Sequence, residues 1–417
     1  MREFLICQIE QAKKDPFRVL PKKIGRFLLL ILVLPIIAVI RLISPWILIR
    51  FGQLPSSRLG PFSMCPELYF CERDQGLQPK SVDFFYCNNE KIANSYLKKM
   101  WGRLLHVSSL TKTFISASKL LPGHKRHGIE LPHEHDYRAL LATTERTHIY
   151  FTDEEKEKGK QFLVQRGVST NQKFVCFASR DSVYLNTVQP QNNWDYHNYR
   201  DFNIHDCLPA AEELTKRGYT LFRMGAIVQE TLKTDNPRII DYATQFRNEF
   251  LDIFLLGSCR FYLGSLSGIN SVSMIFRRPK AVVNAVPMET VHTWMPNDLF
   301  IPKKIWHHRE GRFLTFEEML DSNIGGFHRG DQYAQHDLEV VNNTAEEIMS
   351  LAVEMDERLN GIWQTAEGDE ALQEQFREIF RRKTCHRKIL ARIGRNFLRQ
   401  NRWLLEGEKS EIVSIHL

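Results

Sequence analysis

The stretch RFYLGSLSG, residues 260–268, decides how the second half of this chain folds. Its first five residues are typical of a short buried strand, and the small residues that follow predict a tight turn. The next segment, residues 268–276, has the length and apolar content of a buried helix. A strand that passes through a glycine-rich turn into a helix is the βα unit from which parallel sheets are built.

The same alternation continues on both sides of this stretch. In the second half we expect strands at 173–178, 219–223, 238–242, 260–264 and 280–284, and helices at 206–217, 249–256 and 268–276. In the first half we expect strands at 48–54, 81–87 and 103–107, helices at 90–101 and 152–166, and a long polar loop at 122–138. This pattern predicts an α/β protein with two Rossmann-like domains facing a cleft.

The predicted organisation has four parts. They are a basic N-terminus with a hydrophobic membrane anchor (1–46), an N-terminal Rossmann-like domain (47–166), a C-terminal Rossmann-like domain (167–365), and a basic C-terminal helix and tail (366–417). A length of 417 residues is ordinary for two domains with appendages.

The positive charge lies at the two ends of the chain. Residues 1–58 hold ten Lys or Arg and three Asp or Glu, and residues 376–417 hold eleven against four, whereas the middle is mildly acidic. This distribution indicates that the two ends of the chain contact an anionic surface. It argues against a nucleic-acid-binding groove in the middle of the protein. The eight cysteines form no C-x-x-C pair, which favours a reducing compartment.

Residues 27–49 form the apolar segment FLLLILVLPIIAVIRLISPWILI. Six Lys or Arg lie between residues 13 and 26, so the positive-inside rule would place the N-terminus in the cytoplasm. Because the segment passes without a linker into the predicted strand 48–54, and because the body of the chain carries thiols, we expect a re-entrant or interfacial helix kinked near Pro35 or Ser44–Pro45. A single membrane span and a buried helix of a soluble protein are the alternatives.

The C-terminal segment 376–402 is cationic and amphipathic. Its apolar residues recur at helical spacing, and it carries ten Lys or Arg and one Glu. It is predicted to be a helix that lies on anionic lipid, or one whose apolar stripe packs on the first domain while the basic face is solvated. No aromatic stacking pattern accompanies the charge, so we expect no nucleic-acid partner.

Three predicted strands of the second half end in residues suited to a phosphorylated ligand. Neighbouring strand ends of one parallel sheet converge in space, and a helix N-terminus offers unpaired N–H groups to a phosphate. We therefore predict a phosphate site at Arg180, Asp181, Arg223, Gly225, Ser265, Ser267 and Gly268.

Several ordered motifs carry a resemblance to a known family. They are FASRDSVYL (177–185), Tyr199-Arg200-Asp201, RGYTLFRMG (217–225), IIDYA (239–243), FLDIFLLGSCRFYLGSLSG (250–268), NDLFIPKKIW (297–306) and LTFEEML (314–320). Two further segments, 50–76 and 397–405, match the ends of the same family. The chain resembles bacterial proteins classed as glycosyltransferases, which occur in surface-carbohydrate contexts and are expected to take the GT-B fold.

The resemblance implies a sugar transferase. Residues 47–166 would form the acceptor domain and 167–365 the donor domain, with the nucleotide-sugar diphosphate near Arg180, Arg223 and the 265–268 turn. Asp241 and Tyr242 would lie where nucleobase or ribose contacts are usual. Such enzymes stabilise the leaving diphosphate without a metal, so we expect no metal and no cofactor. The expected partners are a nucleotide-sugar, a glycan or lipid-linked acceptor and an anionic membrane surface. The expected location is the cytoplasmic face of the bacterial inner membrane, with a monotopic or single-pass anchor.

One departure from the family affects the general base. The family commonly has Arg-Ile-Gly-His after its first strand, where this chain has Arg58-Leu59-Gly60-Pro61. Proline cannot accept a proton, so the replacement candidates are Glu72, Asp74, His124 and His127. Two alternatives stay open: a retaining mechanism without such a base, and a non-catalytic nucleotide- or glycan-binding scaffold. The run His133-Glu134-His135-Asp136 has metal-ligand residue types, but adjacent loop residues rarely converge on one ion.

Overall fold

The computed structural model describes residues 16–88, 92–136, 138–144, 146–169, 172–188, 190–321, 324–384 and 389–406, with side chains from residue 29 onward. The chain divides into two compact units. Unit 1 takes the described residues of Met1–Arg58 and Glu72–Pro132, and unit 2 those of Leu59–Cys71 and His133–Leu417. Each unit is built on a parallel sheet, as the alternating sequence pattern predicts.

Unit 1 contains a four-stranded sheet. Its strands are β1 (Ile49–Leu54), β2 (Val82–Cys87), β3 (His106–Val107) and β4 (Gly128–Ile129), in the order β3-β2-β1-β4. All three pairings are parallel. The helices Ser95–Trp101 and Thr111–Ser118 connect these strands, and Asn94 caps the first by accepting from the N–H of Leu97 at 2.7 Å. The predicted loop 122–138 is wrong in part, because it contains the 3₁₀ turn His124–His127 and then β4.

The N-terminal helix Pro16–Leu42 runs through Pro35 without a break. The helix ends before the turn at Ser44–Pro45, which is one of the two places where we expected the helix to kink. Val33, Ile37 and Ile40 pack against Phe51 of β1 and Ala117 of the helix Thr111–Ser118. Within the described part of the chain, no helix is both long and apolar enough to cross a membrane.

Unit 2 contains a seven-stranded parallel sheet. Its strands are β5 (Phe174–Ala178), β6 (Thr220–Arg223), β7 (Ile239–Ile240), β8 (Tyr262–Gly264), β9 (Lys280–Ala285), β10 (Leu299–Pro302) and, at the far edge, Arg392–Ile393. The order runs β7-β6-β5-β8-β9-β10 and then the Arg392–Ile393 strand. Strands β5 and β8 are neighbours although two strands separate them along the chain, so the sheet winds in opposite directions from this point. Such a switch point is where α/β sheets bind ligands.

The other elements are a second sheet and further helices. A small antiparallel sheet is formed by β11 (Lys304–His307), β12 (Arg312–Phe313) and β13 (Leu338–Val341); the strand Arg392–Ile393 is β14. The helices are Leu59–Asp74, Leu140–Thr143, Asp153–Gln165, Val183–Val188, Leu208–Lys216, Tyr242–Gln245, Glu249–Ser258, Gly268–Ile275, Phe316–Asp321, Gly330–Gln335, Ala345–Leu359, Asp369–Lys383 and Arg395–Gln400.

The C-terminal segment does not form the single basic helix that the sequence predicts. The helix Asp369–Lys383 ends, β14 joins the sheet beside β10, and a second helix follows. The apolar stripe, including Phe376, Ile393 and Phe397, belongs to the core of unit 2. Each described Lys or Arg between residues 376 and 402 has an acidic partner, as Arg399 has in Asp369 at 2.7 Å. The helix pattern is correct locally, but the apolar stripe packs in the core of unit 2 instead of on the first domain or in lipid.

Candidate functional site

The carboxyl ends of β5 and β8 in unit 2 bring together part of the predicted phosphate site. Gly264, the last residue of β8, has a φ of +154°, and a Cβ there would overlap the carbonyl oxygen of Ala178 at the end of β5. The two strand ends approach this closely because residue 264 has no side chain. The segments that follow, from Ser179 and from Ser265, therefore start side by side.

Arg180 is anchored at this edge by both its backbone and its side chain. Its N–H donates to Ser265 Oγ at 3.1 Å, and its guanidinium donates to the carbonyl oxygen of His197 at 3.1 Å. The guanidinium also forms an ion pair with Asp201. The structure thus brings two predicted site residues, Arg180 and Ser265, into direct contact, and it adds Asp201.

Two further cations lie at the same edge, and neither was predicted as a site residue. Arg200 donates to the carbonyl oxygen of Leu266 at 2.9 Å. Lys303, directly after β10, donates to the carbonyl oxygens of Tyr199 and Asp201 at 2.8 and 2.9 Å. The sequence signal was present, because Lys303 follows a strand, but β10 was not among the predicted strands.

The electrostatics of this group reflect crowding of like charges in a buried place. Burial lowers the pKa of Lys303 to about 7, with Arg180 and Arg200 adding to the shift and Asp201 opposing it. Burial also raises the pKa of Asp201 to about 6, against the attraction of Arg180. Burial lowers the pKa of Arg200 in the same way. Burial shifts the pKa values of the structural pair Lys280–Asp298 in the same directions, so the convergence of the three cations, and not these shifts, indicates the site.

The helix Gly268–Ile275 begins at this edge, with Ser267 as its N-cap. A Cβ at Gly268 would come within 3.0 Å of the backbone nitrogen of Gly60, so the first turn of the helix Leu59–Asp74 is close by. Glu134 Oε2 lies 3.0 Å from the position of a Cβ on Gly60. A carboxylate near two helix N-termini is in a favourable field.

Arg223 and Asp241 are brought together as partners of each other. The Arg223 guanidinium donates to Asp241 at 3.0 Å, and both side chains are almost fully buried. The other Asp241 oxygen accepts from the N–H of Leu232 at 2.9 Å and from Thr244 Oγ1 at 2.7 Å. Contact of Arg223 with a diphosphate would require this pair to open.

The other predicted donor residues support the loops around the edge. Asp181 accepts from the N–H groups of Val183 and Gln229 at 3.1 and 3.2 Å, which ties the loop after β5 to the loop after β6. Gly225 leaves room for the side chain of Val228.

Tyr242 is a core residue. It is fully buried, and its hydroxyl lies 2.9 Å from both the carbonyl oxygen of Asn248 and a carboxylate oxygen of Asp252. Burial and the neighbouring Asp252 raise the pKa of this hydroxyl. In this conformation the Tyr242 hydroxyl is hydrogen-bonded to protein groups, so it is not positioned to contact a nucleobase.

The predicted general bases lie in unit 1. His127 is buried, with Nδ1 2.7 Å from the carbonyl oxygen of Ile49. His124 is exposed in the 3₁₀ turn, and Asp74 is exposed at the end of a helix. Glu72 accepts from Gln78 Nε2 at 2.7 Å. The cationic edge described above belongs to unit 2, as does Glu134.

Within the described residues, one group has metal-ligand geometry: Glu67, Cys71 and His148, whose ligand atoms lie within 4.8 Å of one another. Arg277 enters the same group, 2.8 Å from Glu67 and 3.7 Å from the Cys71 sulfur. Burial raises the pKa of Cys71 to about 11, which disfavours the thiolate that a metal needs. A guanidinium already supplies the positive charge, so this is a buried ion-pair network. In the His133–Asp136 run, Asp136 caps the helix Leu140–Thr143 by accepting two N–H bonds at 2.8 Å.

Comparisons with known proteins give only remote matches. No family model and no curated protein sequence matches the chain. Among solved structures, a glycosyl transferase of family 9 from Veillonella parvula is similar at 10% identity and a TM-score of 0.39, over 61% of this chain and 86% of that chain. E. coli ADP-heptose LPS heptosyltransferase II is similar at 12% identity and a TM-score of 0.32, over 66% and 95%.

A third structure, the iron-containing dodecameric glycosyltransferase TibC from enterotoxigenic E. coli, has 13% identity and a TM-score of 0.31, over 58% and 60%. These structural neighbours are glycosyltransferases. At such TM-scores the similarities define neither a family nor a function for this chain.

Proposed function

We propose that this protein is a glycosyltransferase that moves a sugar from a nucleotide-sugar donor to a glycan or lipid-linked acceptor in surface polysaccharide synthesis. The observation that carries the proposal is the group of three cations, Arg180, Arg200 and Lys303, at the switch point of the unit 2 sheet. The family resemblance of the motifs at 177–185, 199–201 and 250–268 supports the same reading.

The cationic group suits a diphosphate for two reasons. Arginine forms bidentate bonds to phosphate oxygens, and lysine binds them as a point charge. The helix that begins at Gly268 adds N–H groups and the positive end of its dipole. A bound diphosphate would also offset the repulsion from Arg180 and Arg200, which adds to the effect of burial in lowering the pKa of Lys303.

The chemical role of this group would be to stabilise the leaving diphosphate. When the bond between the sugar and the diphosphate breaks, negative charge grows on the phosphate oxygens. Cations fixed in a partly desolvated place stabilise that charge without reorganising. The proposal needs no metal and no cofactor.

For the general base we propose Glu134 in place of Asp74, His124 and His127. Its carboxylate lies beside Gly60, next to the Pro61 that replaces the family histidine, and near the helix starting at Gly268. A base at this place would take the proton of the acceptor hydroxyl as that oxygen bonds to the sugar.

We also propose that the protein acts at the cytoplasmic face of the bacterial inner membrane. This location rests on the sequence: the basic flank before the apolar segment, and eight cysteines without a disulfide pattern. A membrane location fits a lipid-linked acceptor, which cannot leave the bilayer.

The test is a panel of nucleotide-sugars with release of nucleoside diphosphate as the readout, with and without bacterial membrane glycolipid. Turnover of one donor that depends on acceptor and is lost in Glu134→Gln, with donor affinity kept, supports the full proposal. If a nucleotide-sugar binds but none in the panel is turned over, the non-catalytic nucleotide-binding scaffold is favoured. If no nucleotide-sugar binds, the proposed donor site is contradicted.

A further inference from the structure

The N-terminal helix carries an exposed apolar face in unit 1. From residue 31 to residue 47, every exposed side chain is apolar. The exposed fraction reaches 69% for Leu32, 74% for Leu42 and 82% for Trp46. Contiguous apolar patches of this kind are rare on soluble monomers and mark a surface that meets something else.

The opposite face of this helix is fixed to the body of unit 1. Val33, Ile37 and Ile40 are buried against Phe51 and Ala117. The helix is therefore held along the surface of the unit, with one side packed and the other exposed.

Arg41 is the only charged residue of the apolar segment 27–49, and it bonds to the rest of unit 1 through Nη2 of its guanidinium. Its guanidinium donates to the carbonyl oxygens of Ser118 and Leu121 at 2.9 and 3.2 Å. These carbonyls lie at the C-terminal end of the helix Thr111–Ser118, where a cation is favoured. Moving the helix away from unit 1 would leave Arg41 without these partners.

A basic rim borders the apolar face. Arg126 donates to the carbonyl oxygen of Ser44 at 3.4 Å, which places the loop 119–126 beside the end of the helix. This loop exposes Lys119, Lys125 and Arg126. Between Lys91 and Ile129 the sequence contains no Asp or Glu, so nothing acidic along this stretch of chain offsets the rim.

We infer that this combined surface docks in the plane of an anionic lipid bilayer. The docking face consists of Leu32, Ile36, Val39, Leu42 and Trp46, and the rim of Lys119, Lys125 and Arg126. The apolar side chains would enter the headgroup boundary while the rim meets anionic headgroups, as amphipathic interfacial helices do. Trp46, at the end of the stripe, is the residue type that prefers the membrane interface. This docking mode rests on the proposed membrane location and is independent of any reaction in unit 2.

The experiment is sedimentation of the full-length chain with vesicles of phosphatidylcholine alone or mixed with phosphatidylglycerol. We expect strong binding to the mixed vesicles that weakens as salt is added, because screening acts on the rim. The double variant Ile36→Glu/Val39→Glu should lower the bound fraction at least tenfold on mixed vesicles. Val164→Glu is the matched control, since Val164 is an exposed valine of unit 2, and it should bind like the wild type.

The rim is tested by Lys119→Glu/Lys125→Glu/Arg126→Glu, which should lose at least tenfold on mixed vesicles and leave binding to phosphatidylcholine unchanged. Quenching of Trp46 by brominated lipid, measured as the difference from Trp46→Phe, should accompany binding. Wild-type binding by the Ile36/Val39 variant would overturn the inference. So would a concentration-dependent dimer in vesicle-free buffer that the same variant dissociates, because a second copy would then cover the face.

Discussion

The two sheets of this protein share a strand order and differ in where they hold charge. Both place their first strand between the second and the fourth, in the orders β3-β2-β1-β4 and β7-β6-β5-β8. In unit 1 the buried pair Arg50–Asp83 joins β1 and β2 near their first residues, with the side chains at 2.9 Å. Unit 2 has a comparable buried pair, Lys280–Asp298 at 3.0 Å, where β9 and β10 begin, and in addition it holds charged residues where the strands end.

Under the proposed function, the charges that bind a ligand are among those at the strand ends. Ligands of parallel sheets bind outside the carboxyl ends of the strands. Arg50 lies at the other edge, where a charge pair can only join strands. Arg180 and Lys303 lie at the carboxyl edge, where a ligand would bind under the proposed function. The amino-acid composition does not distinguish Arg50 from Arg180 and Lys303, because all three count as basic residues.

The largest effect should come from Gly264→Ala at the switch point of unit 2. A Cβ there meets the backbone of Ala178, and the residue's φ of +154° suits glycine alone. The cost should be roughly 4 kcal/mol or more of unfolding free energy, since backbone cannot move aside cheaply. Gly52→Ala in β1 is the matched control: its Cβ would meet side-chain atoms of Ile129 and Phe85 at 2.9 and 3.1 Å. There we expect about 1–3 kcal/mol. Urea denaturation measures the free energy of unfolding of both variants. A smaller loss of stability in Gly264→Ala than in Gly52→Ala would contradict the close backbone contact between residues 264 and 178.

The next effect concerns the two buried ion pairs. Arg223→Met leaves Asp241 buried without a cation and should cost about 3–5 kcal/mol. Arg50→Met should cost less, because Arg73 also pairs with Asp83, at 3.0 Å. The comparison is made by chemical denaturation of both variants. If Arg50→Met loses more unfolding free energy than Arg223→Met, then Arg73 does not compensate for the loss of Arg50 beside Asp83.

A smaller effect is expected on binding from Lys303→Met. Loss of one charge-assisted bond should weaken the affinity for a nucleoside diphosphate about 10–100-fold. Lys304→Met is the control, since Lys304 is the next residue and pairs with Glu347 at 2.9 Å. Isothermal titration calorimetry with the diphosphate of the active donor measures both variants. Equal affinity in the wild type and Lys303→Met would remove Lys303 from the site.

The smallest effect is a pH dependence of the same binding. Lys303, whose pKa is about 7, loses its charge as pH rises, so the free site becomes less cationic. A bound anion favours the charged lysine, and binding at pH 8 should therefore take up a fraction of a proton. Calorimetry in two buffers of different ionisation enthalpy measures this uptake. The phosphate of the nucleotide can also exchange protons on binding, and Lys303→Met measures that contribution alone. Equal proton uptake by the variant and the wild type would contradict the assignment of the uptake to Lys303.

Much of the fold was predictable from residues 173–284. Each strand expected there is present, with ends that differ by a few residues, because buried parallel strands are short apolar runs bounded by turn residues. The Arg180 and Ser265 pair was also predictable, since both follow strands. The strand β10, and with it Lys303, was missed among the irregular segments around it.

Other failures have a common cause. Arg223 has the same sequence signal as Arg180, yet it pairs with Asp241 in the interior. The segment 376–402 has the same amphipathic pattern as a lipid-bound helix, yet its stripe fills the core, and the cations that the structure describes there have acidic partners. A pattern of apolar and charged residues indicates which side chains of a segment can be buried or paired. It does not indicate which other part of the chain they pack against or pair with.

The sequence by itself determined the βα alternation, the strand ends and the two amphipathic ends of the chain, because these follow from local spacing. The tertiary structure decided which end keeps its apolar face exposed and which cations share one edge. Burial and charge pairing depend on segments that are distant in sequence, as Arg41 and Ser118 or Lys303 and Asp201 are. Only the packed chain brings such residues within a few ångströms.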